Sequence, residues 1–127
     1  MITGLDHVHV ICGDVDEAVR YFKDVFEGRE VSRGELRGLP MVRVDVKGVI
    51  VALMGTEPGS GQLAPGKGSR GLDHFGFKVK DLQKTFEDLK KRGAKFSIGP
   101  SVTPAGVKFA FIDGPEGMRI ELVERDN

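Results

Sequence analysis

Residues 4–10 read Gly-Leu-Asp-His-Val-His-Val, and residues 71–77 read Gly-Leu-Asp-His-Phe-Gly-Phe. The offset of 67 sets Gly4, Leu5, Asp6 and His7 on Gly71, Leu72, Asp73 and His74. Register holds beyond the phrase, with Asp14 on Asp81, Val15 on Leu82, Val19 on Phe86 and Phe22 on Leu89. A self-match at fixed offset marks a duplicated unit. Two copies are too few for a solenoid, so the expectation is a pair of units packed around one shared centre. Two histidines at matched places are its first candidate functional groups.

The repeated phrase opens a unit of regular plan. Residues 4–12 alternate and are rich in Val and Ile, which predicts a strand with Leu5, His7, His9 and Ile11 on one face. Asp14 followed by Glu17 resembles a capping box. Val15, Ala18, Val19, Phe22, Val25 and Phe26 then recur at helical spacing as far as Gly28. Residues 29–33 are read as a second strand, 34–40 as a turn, and 41–46 and 49–54 as two strands joined at Lys47-Gly48. The second unit repeats the plan, with strands over 73–79, 94–98, 107–112 and 118–124. Its helix starts at Asp81, turns Leu82, Phe86 and Leu89 inward, and closes at Gly93. The predicted fold is α+β, two β-α-β-β-β modules forming a curved mixed sheet within one domain of residues 1–127. Module one covers 1–54 and module two 71–127.

Between them, residues 55–70 contain glycine, proline and polar residues without a periodic apolar face. Such a stretch serves as a linker or as a lid that orders over bound substrate. Gln62, Lys67 and Arg70 are its polar candidates for holding an anionic substrate.

Glu121 is the third candidate group. It lies among aliphatics in Met118-Arg119-Ile120-Glu121-Leu122-Val123, where an unpaired carboxylate is costly to bury. Matching the closing strands sets Ile120-Glu121-Leu122-Val123 on Val51-Ala52-Leu53-Met54, so the repeat mate of Glu121 is Ala52. Two imidazoles and one carboxylate suit Zn, Fe, Ni, Co or Mn better than Ca or Mg. His9 follows His7 on the same face, about 6.6 Å along the strand. It is read either as a polar liner of the site or as a base or alternate ligand.

Composition narrows the partners. The 19 basic and 19 acidic residues cancel, leaving no electrostatic footprint for nucleic acid or an anionic membrane. The single cysteine, Cys12, cannot form an internal disulfide and is read as inert packing. No stretch approaches the length of a membrane span, and the expected location is cytoplasmic. Exposed sheet edges predict a homodimer.

The chain resembles the vicinal oxygen chelate superfamily, which includes glyoxalase I, methylmalonyl-CoA epimerase, fosfomycin-resistance proteins and extradiol dioxygenases. The resemblance rests on Leu5-Asp6-His7-Val8, Tyr21-Phe22, Leu72-Asp73-His74-Phe75 and the run from Phe111 to Leu122. It implies paired modules around a divalent metal held by His7, His74 and Glu121. It also implies pairing of small members, sometimes with modules exchanged between chains. The departure is Ala52, where glyoxalase I and the epimerases supply a fourth ligand, Glu or Gln. In that pattern a carboxylate moves a proton alpha to a carbonyl while the metal stabilises the enediolate. The reading is a metal-dependent lyase or isomerase acting on a small substrate with vicinal oxygens, with Glu121 and His9 as proton carriers. A non-haem Fe(II) dioxygenase with a two-His, one-Glu site is the alternative enzyme. A metal-free drug- or metabolite-binding resistance protein is the alternative from another class.

Overall fold

Short apolar strands and two amphipathic helices build the same arrangement twice. A computed structural model describes residue 1 and residues 3–57 and 72–125. The chain divides into two compact units, Met1–Gln62 and Leu63–Asn127. The linker or lid expected over residues 55–70 falls mostly outside the described residues, as do Gln62, Lys67 and Arg70.

Unit one runs β1 (His7–Cys12), α1 (Val15–Phe26), β2 (Arg29–Leu36), β3 (Leu39–Val46) and β4 (Val49–Gly55). The sheet order is β1-β4-β3-β2, with β1 parallel to β4 and the other pairs antiparallel. Helix α1 begins where Asp14 Oδ1 accepts the Glu17 N–H at 3.0 Å, which satisfies one of the free donors of its first turn. Its apolar stripe, Val15, Ala18, Val19, Phe22 and Val25, is buried. Phe22 is wholly enclosed, and its truncation to Ala costs about 3–5 kcal/mol by the usual cost of a core cavity. At the helix end Glu27 takes a left-handed conformation (φ 56°) and the Gly28 N–H returns to Phe22 O at 2.9 Å. A Cβ on Gly28 would lie 2.7 Å from Val44 Cγ1 and 2.9 Å from Phe22 O, so the backbone passes too close for a side chain.

Unit two runs β5 (Phe75–Lys78), α2 (Leu82–Lys91), β6 (Lys95–Val102), β7 (Lys108–Asp113), a 3₁₀ turn over Pro115–Gly117, and β8 (Arg119–Glu124). Its sheet order, β5-β8-β7-β6, is the same as that of unit one, with β5 parallel to β8. Asp81 caps α2 by accepting from the Lys84 N–H at 3.1 Å. Glu124, at the end of β8, accepts from the Leu82 N–H at 2.8 Å and so ties helix to strand. Phe86 is half-buried rather than enclosed, stacked edge-on against Phe96 at 4.6 Å.

The strand boundaries differ from expectation in three places. The turn expected over 34–40 contracts to Arg37-Gly38, both at positive φ (53° and 78°), the pattern of a two-residue hairpin turn. Pro40 is tolerated in β3 because it lies past the last β3–β4 pair, Met41 with Met54, so its missing N–H removes no bond there. Strand β6 continues through Gly99 and Pro100 to Val102; these two fall where register shifts between Ile98 and Ser101 on an edge strand. The opening strands begin at His7 and Phe75, later than expected.

Cys12 is buried with its thiol toward Val10 O at 3.9 Å, as packing requires. Among the described residues no helix is long and apolar enough to cross a membrane.

Candidate metal centre

Strand pairing fixes which side chains share a face. In unit two Gly76 pairs with Glu121 and Glu121 with Phe111, giving the cross-strand row Gly76–Glu121–Phe111. In unit one His9 pairs with Ala52 and Ala52 with Arg43, giving His9–Ala52–Arg43. Gly76 is the repeat mate of His9, so the two registers independently match Ala52 to Glu121. The equivalence read from the closing strands therefore holds in the paired sheets.

Unit two brings two of the expected ligands together. His74 Nε2 is 3.3 Å from Glu121 Oε1. Two donors each about 2.1 Å from a tetrahedral or octahedral metal stand roughly 3.0–3.4 Å apart, so this spacing fits a shared ion. The other ring nitrogen, Nδ1, is 2.8 Å from Asp73 Oδ2, and Arg119 Nη1 donates to that same oxygen. A carboxylate holding Nδ1 directs Nε2 outward, which is how metal-ligating imidazoles are oriented. The hydrogen bond with His74, aided by the Arg119 charge, holds the Asp73 carboxyl below its ordinary range. His74 meets Phe111 edge-on at 5.0 Å, and Arg119 lies over the same ring at 4.4 Å. Gly76 lies beside Glu121, and a Cβ added there would meet Oε1 at 3.5 Å, an ordinary van der Waals contact.

In unit one His7 repeats the orienting contact, with Nδ1 2.8 Å from Asp6 Oδ2. His9 stands beside it, ring centroids 6.4 Å apart, on the face expected from alternation. Its Nε2 lies 3.3 Å from Met54 Sδ. Beneath it Ala52 and Met54 pack with Met41 into a small buried cluster. Among the described residues no three His, Cys, Asp or Glu side chains are gathered in metal-binding geometry, so the convergence seen is that of His74 with Glu121. The donor chemistry fits a divalent transition metal: imidazole nitrogens already oriented by carboxylates, and a carboxylate oxygen within bridging distance.

Several contributors carry no motif of their own. Asp6 and Asp73 are visible in the sequence only as the residue before each matched histidine. Arg119 enters through the alternation that carries Glu121, and Phe111 and Arg43 through their pairing with Glu121 and Ala52.

The pattern that defines the Glyoxalase/Bleomycin resistance protein/Dioxygenase superfamily matches residues 4–122. The chain belongs to that superfamily. It is 43% identical over 56 residues to a probable chloroplastic lactoylglutathione lyase of Arabidopsis thaliana, a match covering 43% of this chain and 16% of the plant protein. A glyoxylase/bleomycin resistance protein/dioxygenase domain from Frankia sp. EAN1pec superimposes with a TM-score of 0.83 at 20% identity, covering 99% of this chain and all of that one. A mutant of the fosfomycin resistance protein FosX from Listeria monocytogenes, complexed with Mn(II) and 1S,2S-dihydroxypropylphosphonic acid, superimposes with a TM-score of 0.71 at 16% identity. That match covers 97% of this chain and 90% of the Listeria chain.

Proposed function

We propose that this chain is a metal-dependent lyase or isomerase of the glyoxalase type, with His7, His74 and Glu121 holding a divalent metal. The observation that carries the reading is the 3.3 Å approach of His74 Nε2 to Glu121 Oε1, with Nδ1 held by Asp73. The Mn(II) bound to the Listeria FosX mutant supports a metal in this fold. When bound, a Zn, Ni, Co, Mn or Fe ion supplies a Lewis acid for the vicinal oxygens of a small substrate. Glu121 has one carboxylate oxygen beside His74 and takes the proton alpha to the substrate carbonyl. His9 takes the part of second proton carrier, since its cross-strand neighbour Ala52 has no group to move a proton. Arg119, with Asp73, keeps His74 oriented through the turnover.

Ala52 favours a second reading specifically. With a methyl group in place of a fourth donor, two histidines and one glutamate match the ligand set of non-haem Fe(II) oxygenases. Metal analysis of tag-free protein, followed by assays with each metal restored, separates the readings. Solvent deuterium appearing at the alpha carbon of a 2-oxoaldehyde–thiol adduct, with Zn, Ni or Co restored, supports the lyase or isomerase. Oxygen uptake with a catechol and Fe(II) supports the dioxygenase. A protein that takes up no metal yet retains a small ligand is the metal-free binding protein of the same superfamily. We further propose a homodimer, which light scattering at micromolar concentration checks; a monomer there sets it aside.

A further inference from the structure

The β2–β3 hairpin of unit one carries four arginines, and they divide into two kinds. Arg29 lies 3.5 Å from Asp45, and Arg33 bonds Glu30 and Asp16 at 2.9 Å each. Arg37 and Arg43 have no ion pair among the described residues, and both belong to the face that carries His9 and Ala52. Arg43 closes the row His9–Ala52–Arg43. Arg37 sits in the two-residue turn, where its left-handed conformation (φ 53°) accompanies a guanidinium folded back onto the sheet. Its Nη2 lies 3.8 Å from Met54 Sδ, the sulfur that His9 Nε2 approaches at 3.3 Å.

Two nitrogens, one of them a guanidinium donor, are thus turned toward one thioether, a weak acceptor. They are at most roughly 7 Å apart, a gap that one carboxylate and two hydrogen bonds of ordinary length can span. The floor below is apolar, made of Met41, Ala52 and Met54, all buried. The one carboxylate in the cross-strand rows of this face, Asp45, is engaged with Arg29. In unit two the position matching Ala52 carries Glu121. In unit one that position has no carboxylate, and two arginines without an ion pair among the described residues stand on the same face.

We propose that Arg37 is a substrate-binding residue that anchors a carboxylate of the substrate over Ala52 and Met54 and so sets the neighbouring carbon beside His9. The substrate class is a small carboxylic acid whose carboxylate lies a few bonds from its vicinal oxygens. Arg43 adds positive charge at the far end of the row. Placement of the reacting carbon beside His9 rests on the function proposed above; the anion site itself does not.

Succinate titrated into metal-free protein tests the anchor, with backbone ¹H–¹⁵N signals as the readout. Saturable shifts centred on His9, Arg37, Gly38 and Met54 are expected. Arg37→Gln raises the succinate Kd at least tenfold, Arg37→Lys retains part of the affinity, and Arg33→Gln, on the opposite face, changes it less than twofold. Absence of saturable shifts, persistence of binding in Arg37→Gln, or equal weakening by Arg33→Gln overturns the proposal. On metal-loaded protein, succinate monohydroxamate binds at least tenfold more tightly than butyrohydroxamate, and Arg37→Gln abolishes that preference while leaving butyrohydroxamate unchanged. A preference that survives Arg37→Gln overturns the anchor. Failure of butyrohydroxamate to bind at all counts against the metal reading alone, and the succinate titration then decides the anchor.

Discussion

The two units share an arrangement and contrast sharply at one cross-strand row. Unit one presents His9–Ala52–Arg43 where unit two presents Gly76–Glu121–Phe111. Backbone pairing, helix caps and the Asp-His dipeptide are common to both. Side-chain charge is not. The row in unit two holds a carboxylate against an aromatic wall, suited to a cation; the row in unit one holds two nitrogen-bearing side chains around a methyl group, suited to an anion. The arrangement is thus common to both units while the side chains of this row diverge, and the row mixes exposed positions such as His9, Arg43 and Gly76 with the buried Ala52 and Phe111.

The largest effects should come from removing the proposed ligands. His7→Ala, His74→Ala and Glu121→Ala are each expected to weaken metal binding by about a hundredfold or more, since even loss of an orienting partner costs 10–100-fold. Calorimetric titration with Zn or Co measures this, and unchanged affinity in any variant removes that residue from the centre. Erasing the contrast between the rows is the next test. Ala52→Glu should tighten metal binding by roughly tenfold if residue 52 faces the ion, about 1.4 kcal/mol. Unchanged affinity would place position 52 away from it.

Asp73→Asn sharpens the comparison within unit two. It keeps the shape but weakens the hold on His74 Nδ1, and a loss of about tenfold in metal affinity is expected with little change in melting temperature. An equal loss of both would make Asp73 a folding residue instead.

The smallest effect lies on the opposite side of unit one. Hydrogen bonding to Arg33 lowers the Glu30 carboxyl from its ordinary 4.5. A lowered folded-state value stabilises the fold above the ordinary value, and the contribution fades as pH falls through the lowered one. Glu30→Gln should therefore lower the melting temperature slightly near neutrality and leave it equal to wild type well below pH 4.5. A difference that persists undiminished in acid would show that the pair acts through packing.

The duplicated phrase and the two Asp caps made the helices and their order legible, because both are local signals of backbone need. Alternation placed His7 and His9 on one face, and the match of closing strands set Ala52 against Glu121. What escaped was set by geometry between strands. Gly34 and Pro40 carry turn chemistry, yet β2 and β3 run through them, since only Arg37 and Gly38 are needed to reverse the chain. Arg37 and Met54 are distant in sequence and meet only because that turn folds back over the sheet. Arg119 shows itself only once β8 brings it against Asp73.

Strand order carries one more implication. His7 begins β1, and His74 immediately precedes β5; each strand stands at the end of its own unit's strand order, paired in that sheet with β4 or β8. Segments of a native fold open locally at free energies that range up to that of global unfolding. An imidazole on or beside such a strand is available only while the strand is docked, so apparent metal affinity is scaled by the docked fraction. An ion bound there would in turn close the strand, slowing exchange of the β1 and β5 amides beyond what hydrogen bonding alone provides. The metal would then act as a fastener for the sheet margins, with each unit's grip on it set by the four or six residues of its first strand.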